Sequence, residues 1–353
     1  MLKKMKKNTK NNLITYAMVT AAFIIMQLLI SVGAVSSLLK GLMVPLCTYI
    51  VLAVSLNLVV GILGGLSLGH AGFMCVGAFS SAFFSKCMRD VITAAPLRFF
   101  LAMLVGIAVA AVFGVLIGIP VLRLKGDYLA IVTLAFGEII KNLVNVLYIG
   151  KDSEGFHFST KDVMALDMAP DGTVIVNGPQ GITGTPKDAT FFIGFLLILL
   201  TLFIVINLTN SRDGRAIMAI RDNRIAAESV GINVTKYKLM AFTVSAALAG
   251  AAGVLYAHNL STLTANTNNF GYNMSITILV FVVLGGIGSI RGSVIAAVVL
   301  TLLPEVLRGL SDYRMLIYAV VLIVMMIFNW APGAIAWREK YFHFGKNKRG
   351  AGK

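Results

Sequence analysis

Charge is what this chain has least of. Only 13% of its 353 residues are Asp, Glu, Lys or Arg, while 58% are hydrophobic. A soluble domain carries about 25% charged residues, so a single soluble core is excluded. No GxxxxGK[ST] stretch occurs, so the chain does not itself hold ATP in a phosphate-binding loop. The three cysteines, Cys47, Cys75 and Cys87, form no CxxC pair and lie in or beside apolar runs. They read as small apolar core residues. No second histidine stands at metal-site spacing from His70, so no metal centre is expected. No Ser/His/Asp or Cys/His arrangement is placed for catalysis, so the chain is expected not to be an enzyme.

What the chain has instead is long apolar runs. Many exceed the roughly 18 residues that suggest a spanning helix. The expected fold class is all-α, a polytopic transmembrane helical bundle of about ten spans. They fall at about 13–34, 42–64, 66–85, 98–120, 128–148, 191–209, 239–257, 274–289, 293–309 and 315–331. Glycines interrupt 66–85 and 274–309, which leaves a re-entrant or broken helix open there. Small residues recur at four-residue spacing, as in Gly61 and Gly65, Gly114 and Gly118, Ala246 and Gly250, and Ala249 and Gly253. In lipid this spacing lets helix backbones approach closely. A parallel internal repeat is open between the glycine-rich segments Leu63–Gly72 and Leu284–Gly292.

The net charge of +15 does not point to nucleic acid. Lys and Arg gather in short loops and at both ends, as the positive-inside rule requires, where they also face anionic lipid head groups. Lys3, Lys4, Lys6, Lys7 and Lys10 precede an apolar run from Leu13 to Val35. That run is too long for a typical signal peptide, and more spans follow, so an uncleaved first helix is expected. One membrane domain, 1–353, is therefore expected. It has a basic cytoplasmic N-terminus at 1–12, an acidic extracytoplasmic segment at 149–190, a basic cytoplasmic loop at 210–238 and a basic cytoplasmic tail at 332–353. The loop 258–273, with no Lys or Arg, falls outside.

The loop at 211–238 is the segment most open to a partner. Asp222 or Asn223 is expected to cap a helix of about two turns, Arg224 to Val230. Gly231 suits the left-handed position that closes it, with Ile232 as apolar follower. Asn233 or Thr235 can cap the next helix, and Lys236 and Lys238 can snorkel at its start. Ala226 and Ala227 would let a partner surface approach the backbone. A coupling helix and an ordinary amphipathic loop helix both satisfy this pattern. Within the spans, Glu138 and Lys141 lie three apart on one helical face and can pair, or line a cavity. The Gly285-Gly286-Ile287-Gly288 stretch is not a dinucleotide fingerprint, because it follows a span and no βαβ unit.

Ala226-Ala227-x-x-x-Gly231 resembles the coupling loop of ABC importer permeases, with Ile225 where the motif usually has Glu. The resemblance extends over about residues 40 to 310. Leu66-Ser-Leu-Gly-His-Ala-Gly-Phe73, Gly126-Asp-Tyr-Leu-Ala-Ile-Val-Thr-Leu-Ala-Phe-Gly-Glu-Ile139, Gly178-Pro-Gln-Gly-Ile182, Gly214-Arg-Ala-Ile-Met-Ala-Ile-Arg-Asp-Asn223 and Val283-Leu-Gly-Gly-Ile-Gly-Ser289 are similar to the branched-chain amino acid permease family, LivM type. The resemblance implies an ABC importer permease fold in a bacterial plasma (inner) membrane, both termini cytoplasmic. It implies a second, LivH-like permease as partner, two ABC ATPase subunits that use the ATP, and an extracytoplasmic substrate-binding protein. Arg221, Asp222, Ala226, Ala227, Glu228 and Gly231 would couple to an ATPase. Gly69, His70, Gly126, Asp127, Tyr128, Glu138, Gly285 and Gly286 would lie along the translocation path. A permease for an amide such as urea fits the same resemblance. An ion-coupled secondary transporter using Glu138 is the alternative of another class.

Overall fold

The computed structural model describes residues 2–33, 36–124, 127–170, 172–310 and 313–330. Contacts divide the chain into two compact units, residues 1–298 and 299–353. The first unit holds helices α1 (Leu2–Ser31), α2 (Ser37–Asn57), α3 (His70–Cys87), α4 (Ala95–Val121), α5 (Asp127–Val146), α6 (Phe191–Asn210), α7 (Arg212–Asp222), α8 (Arg224–Ser229), α9 (Val234–Ala257), α10 (Thr267–Phe270), α11 (Tyr272–Gly285) and most of α12 (Ile290–Val306). The second holds the end of α12, a 3-10 turn at Leu307–Leu310 and α13 (Arg314–Trp330).

Eight helical stretches among the described residues are long and apolar enough to cross a membrane. The expectation of about ten is therefore approximate. The expected span at 66–85 starts later, as α3, which has 18 residues but lacks the apolarity of the eight. Its surroundings explain this: residues from His70 to Cys87 are mostly buried against protein, so they need not match lipid. It still runs the height of the bundle. His70 lies 2.7 Å from Ser55 at one end, and Lys86 Nζ donates to the Val174 carbonyl at the other, across 2.8 Å. Helix α13 has 17 residues, and the expected end of its span, residue 331, lies outside the described residues. The stretch 274–309 is not one broken helix. It is two spans, Thr267–Gly285 and Ile290–Gly309, joined by a tight turn.

Helix α9 is the centre of the first unit. Its run Ala246-Ala-Leu-Ala-Gly-Ala-Ala-Gly253 leaves room for neighbours to reach its backbone. A Cβ at Gly77 of α3 would meet the Gly250 backbone, one at Gly114 of α4 would meet Ala246, and one at Gly253 would meet the Met74 backbone. Close approach of this kind supplies the van der Waals packing that holds helices together in lipid. Buried polar side chains are paired across it: Ser245 Oγ donates to the Ser55 carbonyl at 2.6 Å, and Ser85 Oγ lies 2.7 Å from His258 Nε2. The cysteines are free and buried, as their apolar settings imply.

Helix α2 ends in an irregularity. It continues as a π-turn, Leu58–Leu63, which stops at Gly64 with φ +78°. A link without regular secondary structure then leads to His70.

The opposite end of the unit carries strands that the helical periodicity did not reveal. Strands β1 (Tyr148–Lys151), β2 (Phe156–Ser159) and β3 (Thr173–Asn177) form an antiparallel sheet of order β2-β1-β3. Strands β4 (Ile182–Thr183) and β5 (Thr262–Leu263) pair separately. Asp152 organises the β1–β2 connection: its carboxylate accepts the amides of Ala169, Gly155 and Glu154 and meets His157 Nε2 at 3.0 Å. The Ala169 amide above all, then the Gly155 and Glu154 amides and His157, hold its pKa below the ordinary carboxylate value.

Candidate functional site

The loop at 211–238 folds as three capped helices. Ser211 starts α7 by accepting the Gly214 amide at 3.0 Å. One extended residue, Asn223, separates α7 from α8, and its Oδ1 accepts the Ala226 amide at 3.0 Å. The cap is thus Asn223, not Asp222, whose carboxylate instead receives Nε and Nη2 of Arg221 at 3.1 and 3.0 Å. Helix α8 ends at Ser229, one residue before the expected Val230. Its closure is a Schellman motif: the Gly231 amide donates to the Glu228 carbonyl and the Ile232 amide to the Ala227 carbonyl, each at 3.0 Å. Gly231 has φ +81°, a conformation that costs a side-chain-bearing residue about 1 kcal/mol. Asn233 then caps α9 by accepting the Lys236 amide at 3.0 Å.

The three helices share a small apolar cluster of Ile220, Ala227 and Val234, with Ile232 and Tyr237 against it. This corrects one expectation. Ala227 is 3% exposed and packs inward, so of the alanine pair only Ala226 stays open to a partner. Ile225 and Val230 are the large apolar residues on the open side, 79% and 74% exposed. Glu228 pairs with Arg224 Nε at 3.0 Å. Both are exposed, so the pair adds about 0.3 kcal/mol.

Arg221 also reaches out of the loop. Its Nη1 donates to the Gly61 carbonyl in the π-turn across 2.9 Å. A Cβ at Gly64 would press on Arg221 Cγ, so glycine there leaves room for the side chain to pass. Next to Gly61 lies the turn between α11 and α12, where a Cβ on Gly61 would strike the Gly288 backbone. Asn57 ties the two together. Its Oδ1 accepts the Gly288 amide at 2.9 Å, and its Nδ2 donates to Ser293 Oγ at 3.0 Å. Asn57 was missed by sequence reasoning, and Gly61 was read there only as a position of close helix approach. A buried Asn within an apolar span is the signal that marks Asn57.

Of the residues expected along a path, Gly69 lies against α5, the helix that carries Tyr128 and Glu138, whereas Gly285 and Gly286 sit at the end of α11. Gly69 abuts the Thr133 backbone of α5, and His70 is buried on Ser55. Glu138 and Lys141 do pair, and both reach the α10–α11 region: Lys141 donates to Thr267 Oγ1 at 3.2 Å and Glu138 accepts the Tyr272 amide at 2.7 Å. Gly285 backs onto Gly292, and Gly286 has φ +92°. Tyr128 is exposed. Gly126 lies outside the described residues, and Asp127 is described only as the first residue of α5. A cleft of about 630 Å³ opens between α4 and α6, with Phe99, Phe100, Met103, Asp188, Ile193 and Leu197 among its walls. None of the expected path residues lines it. Among the described residues, no group of His, Cys, Asp and Glu is placed to hold a metal ion.

A family model described as branched-chain amino acid transport system / permease component matches residues 37–328. The chain belongs to this permease family. The permease is 36% identical over 293 residues to the high-affinity branched-chain amino acid transport system permease protein LivM of Salmonella typhimurium, and 35% identical to LivM of Escherichia coli. Each match covers 80% of this permease and 66% of the relative, just under two thirds of its length. It is also 24% identical over 252 residues to the fructose import permease protein FruG of Bifidobacterium longum, covering 68% of this chain and 70% of that one. No solved structure matches. Membership of the family makes it a multi-pass membrane permease component and a transport subunit, not an enzyme.

Proposed function

We propose that this permease is the membrane subunit of an ATP-driven importer for branched-chain amino acids. The observation that carries the reading is α8: a short, doubly capped helix, locked to the first turn of a spanning helix, presenting Ile225, Ala226 and Val230 outward. A rigid projection with an apolar face suits a groove in a partner. The match to LivM proteins over 80% of the chain supports the substrate class.

In this reading the basic loop is cytoplasmic and two ATPase subunits dock below the membrane, one of them on α8. ATP is bound and hydrolysed there and not on this chain. A second, LivH-like permease completes the translocation path, and a binding protein delivers substrate at the sheet end, between β1 and β5. ATP binding draws the ATPases together, α8 moves with them, and the spans tilt to alternate access. Specificity rests mainly with the binding protein. The membrane is the bacterial plasma membrane, with both termini cytoplasmic.

The surroundings of Glu138 speak for a structural role over that of a coupling acid. Lys141 and the Tyr272 amide occupy its two oxygens, and that is the behaviour of a structural ion pair. The test is purification of the tagged chain in mild detergent with mass spectrometry of what accompanies it. The expected companions are a second permease-like chain and P-loop ATPases. A chain that purifies alone as a homo-oligomer would overturn the proposal.

A further inference from the structure

The geometry points to Arg221 as the strut that carries movement of α8 into the membrane spans, and to the π-turn at Leu58–Leu63 as the joint on which it acts. This rests on the coupling-helix reading of α8.

Three observations support it. First, Arg221 moves with α8. Its neighbour Ile220 is buried in the cluster that also holds Ala227 of α8 and Val234 of α9. A displacement of α8 therefore displaces the backbone at 221 as part of one packed body. Second, the side chain is aimed. Asp222 holds the Nε and Nη2 edge of the guanidinium, which leaves Nη1 directed at the Gly61 carbonyl. The planar fork of arginine makes that division of donors geometrically fixed. Among the described residues this is the only hydrogen bond joining 212–229 to 37–65.

Third, the receiving point is a weak place in a spanning helix. A π-turn widens the helix and breaks the regular ladder of hydrogen bonds, and such turns gather at functional positions. From Gly61 the contact passes directly to Gly288, and Asn57 clamps that turn and the first turn of α12 through the Gly288 amide and Ser293. A pull on Gly61 thus reaches the junction of two spans within one contact. Glycine at 61 keeps its backbone close enough to Gly288 for this, since a Cβ there would strike the Gly288 backbone, and glycine at 64 leaves room for the Arg221 side chain.

Four readouts on Arg221→Ala test the strut. Hydrogen exchange of the chain in detergent is expected to rise about fivefold across 284–293, where Asn57 now protects the turn. Exchange in the sheet at 148–177 is expected to stay as it was. In proteoliposomes holding the full transporter, uptake of radiolabelled leucine is expected to fall about tenfold. ATP hydrolysis is expected to persist, and ATPase capture to be unchanged. Arg221→Lys restores much of the uptake, because an ammonium on that stem can still donate to the Gly61 carbonyl. Unchanged exchange at 284–293 would overturn the strut. So would uptake and hydrolysis falling together, or loss of ATPase capture, since either places Arg221 in the docking face. A wild-type chain that captures no ATPase is a different result: it sinks the coupling-helix reading, while exchange still reports on the strut.

Discussion

The main-chain amide of Tyr272 donates to Glu138 Oε1 across 2.7 Å, so a carboxylate on α5 caps the first turn of α11. Gly271, at the position before that helix, offers no side chain to do so. Lys141, bonded to the other oxygen and to Thr267, completes a staple between the two spans.

Removing one member leaves Lys141 buried, or Glu138 partly buried, without its opposite charge. Glu138→Ala is expected to destabilise the permease by about 2–3 kcal/mol. Lys141→Ala should cost a similar amount, and the double variant less than the sum of the two. Thermal unfolding in detergent measures all three. Additive losses would show that the two residues act separately.

Gly231 tests the closure of α8. Nothing lies within 4 Å of a Cβ built there, so Gly231→Ala suffers only the conformational cost, about 1 kcal/mol. Gly231→Pro also loses the amide that bonds Glu228 and cannot take a positive φ. We expect the alanine variant to keep most leucine uptake and the proline variant to insert normally but lose it. Equal uptake by both would contradict the coupling role of this turn.

Ile225 tests the docking face. As a residue 79% exposed, it should tolerate Ile225→Glu within about 0.5 kcal/mol. Placed in an apolar groove, the new charge is expected to lower ATPase capture in a pull-down about tenfold. Undiminished capture would place the ATPase elsewhere.

The caps of this loop were legible from residue type, because capping is local chemistry. Asn223, Gly231, Ile232 and Asn233 stand where short-range rules put them. Asp222 and Asn223 cap equally well in isolation, and the choice is made by Arg221, which takes Asp222 for itself. The inward turn of Ala227 needs Ile220 and Val234 as partners, and no local rule supplies those. The clamp of Asn57 on Gly288 joins residues far apart in the chain, and no periodicity reports such a pair. The sheet was missed for a similar reason: strands of two to five residues carry too few alternations to stand out beside apolar spans. The span at 66–85 was placed by apolarity, and protein burial lets α3 depart from it.

Asp152 predicts a response to acid at the sheet end. Its folded pKa is depressed, so its stabilising effect is complete above the unfolded aspartate value and is lost as pH falls through the lower folded value. Exchange protection of 148–177 should therefore hold at neutral pH and fall only well into the acid range. Asp152→Asn should weaken the sheet at neutral pH and flatten that acid dependence. A sheet whose protection is already lost close to neutral pH would contradict this role of Asp152.

Uptake of radiolabelled leucine into proteoliposomes tests the central claim most directly. The vesicles carry the permease with its co-purified partners and binding protein, with and without internal ion gradients. We expect uptake to require ATP on the side of the basic loop and to be indifferent to the gradients. Uptake by this chain alone, driven by an ion gradient and abolished by Glu138→Gln, would contradict the account and make the protein a secondary transporter.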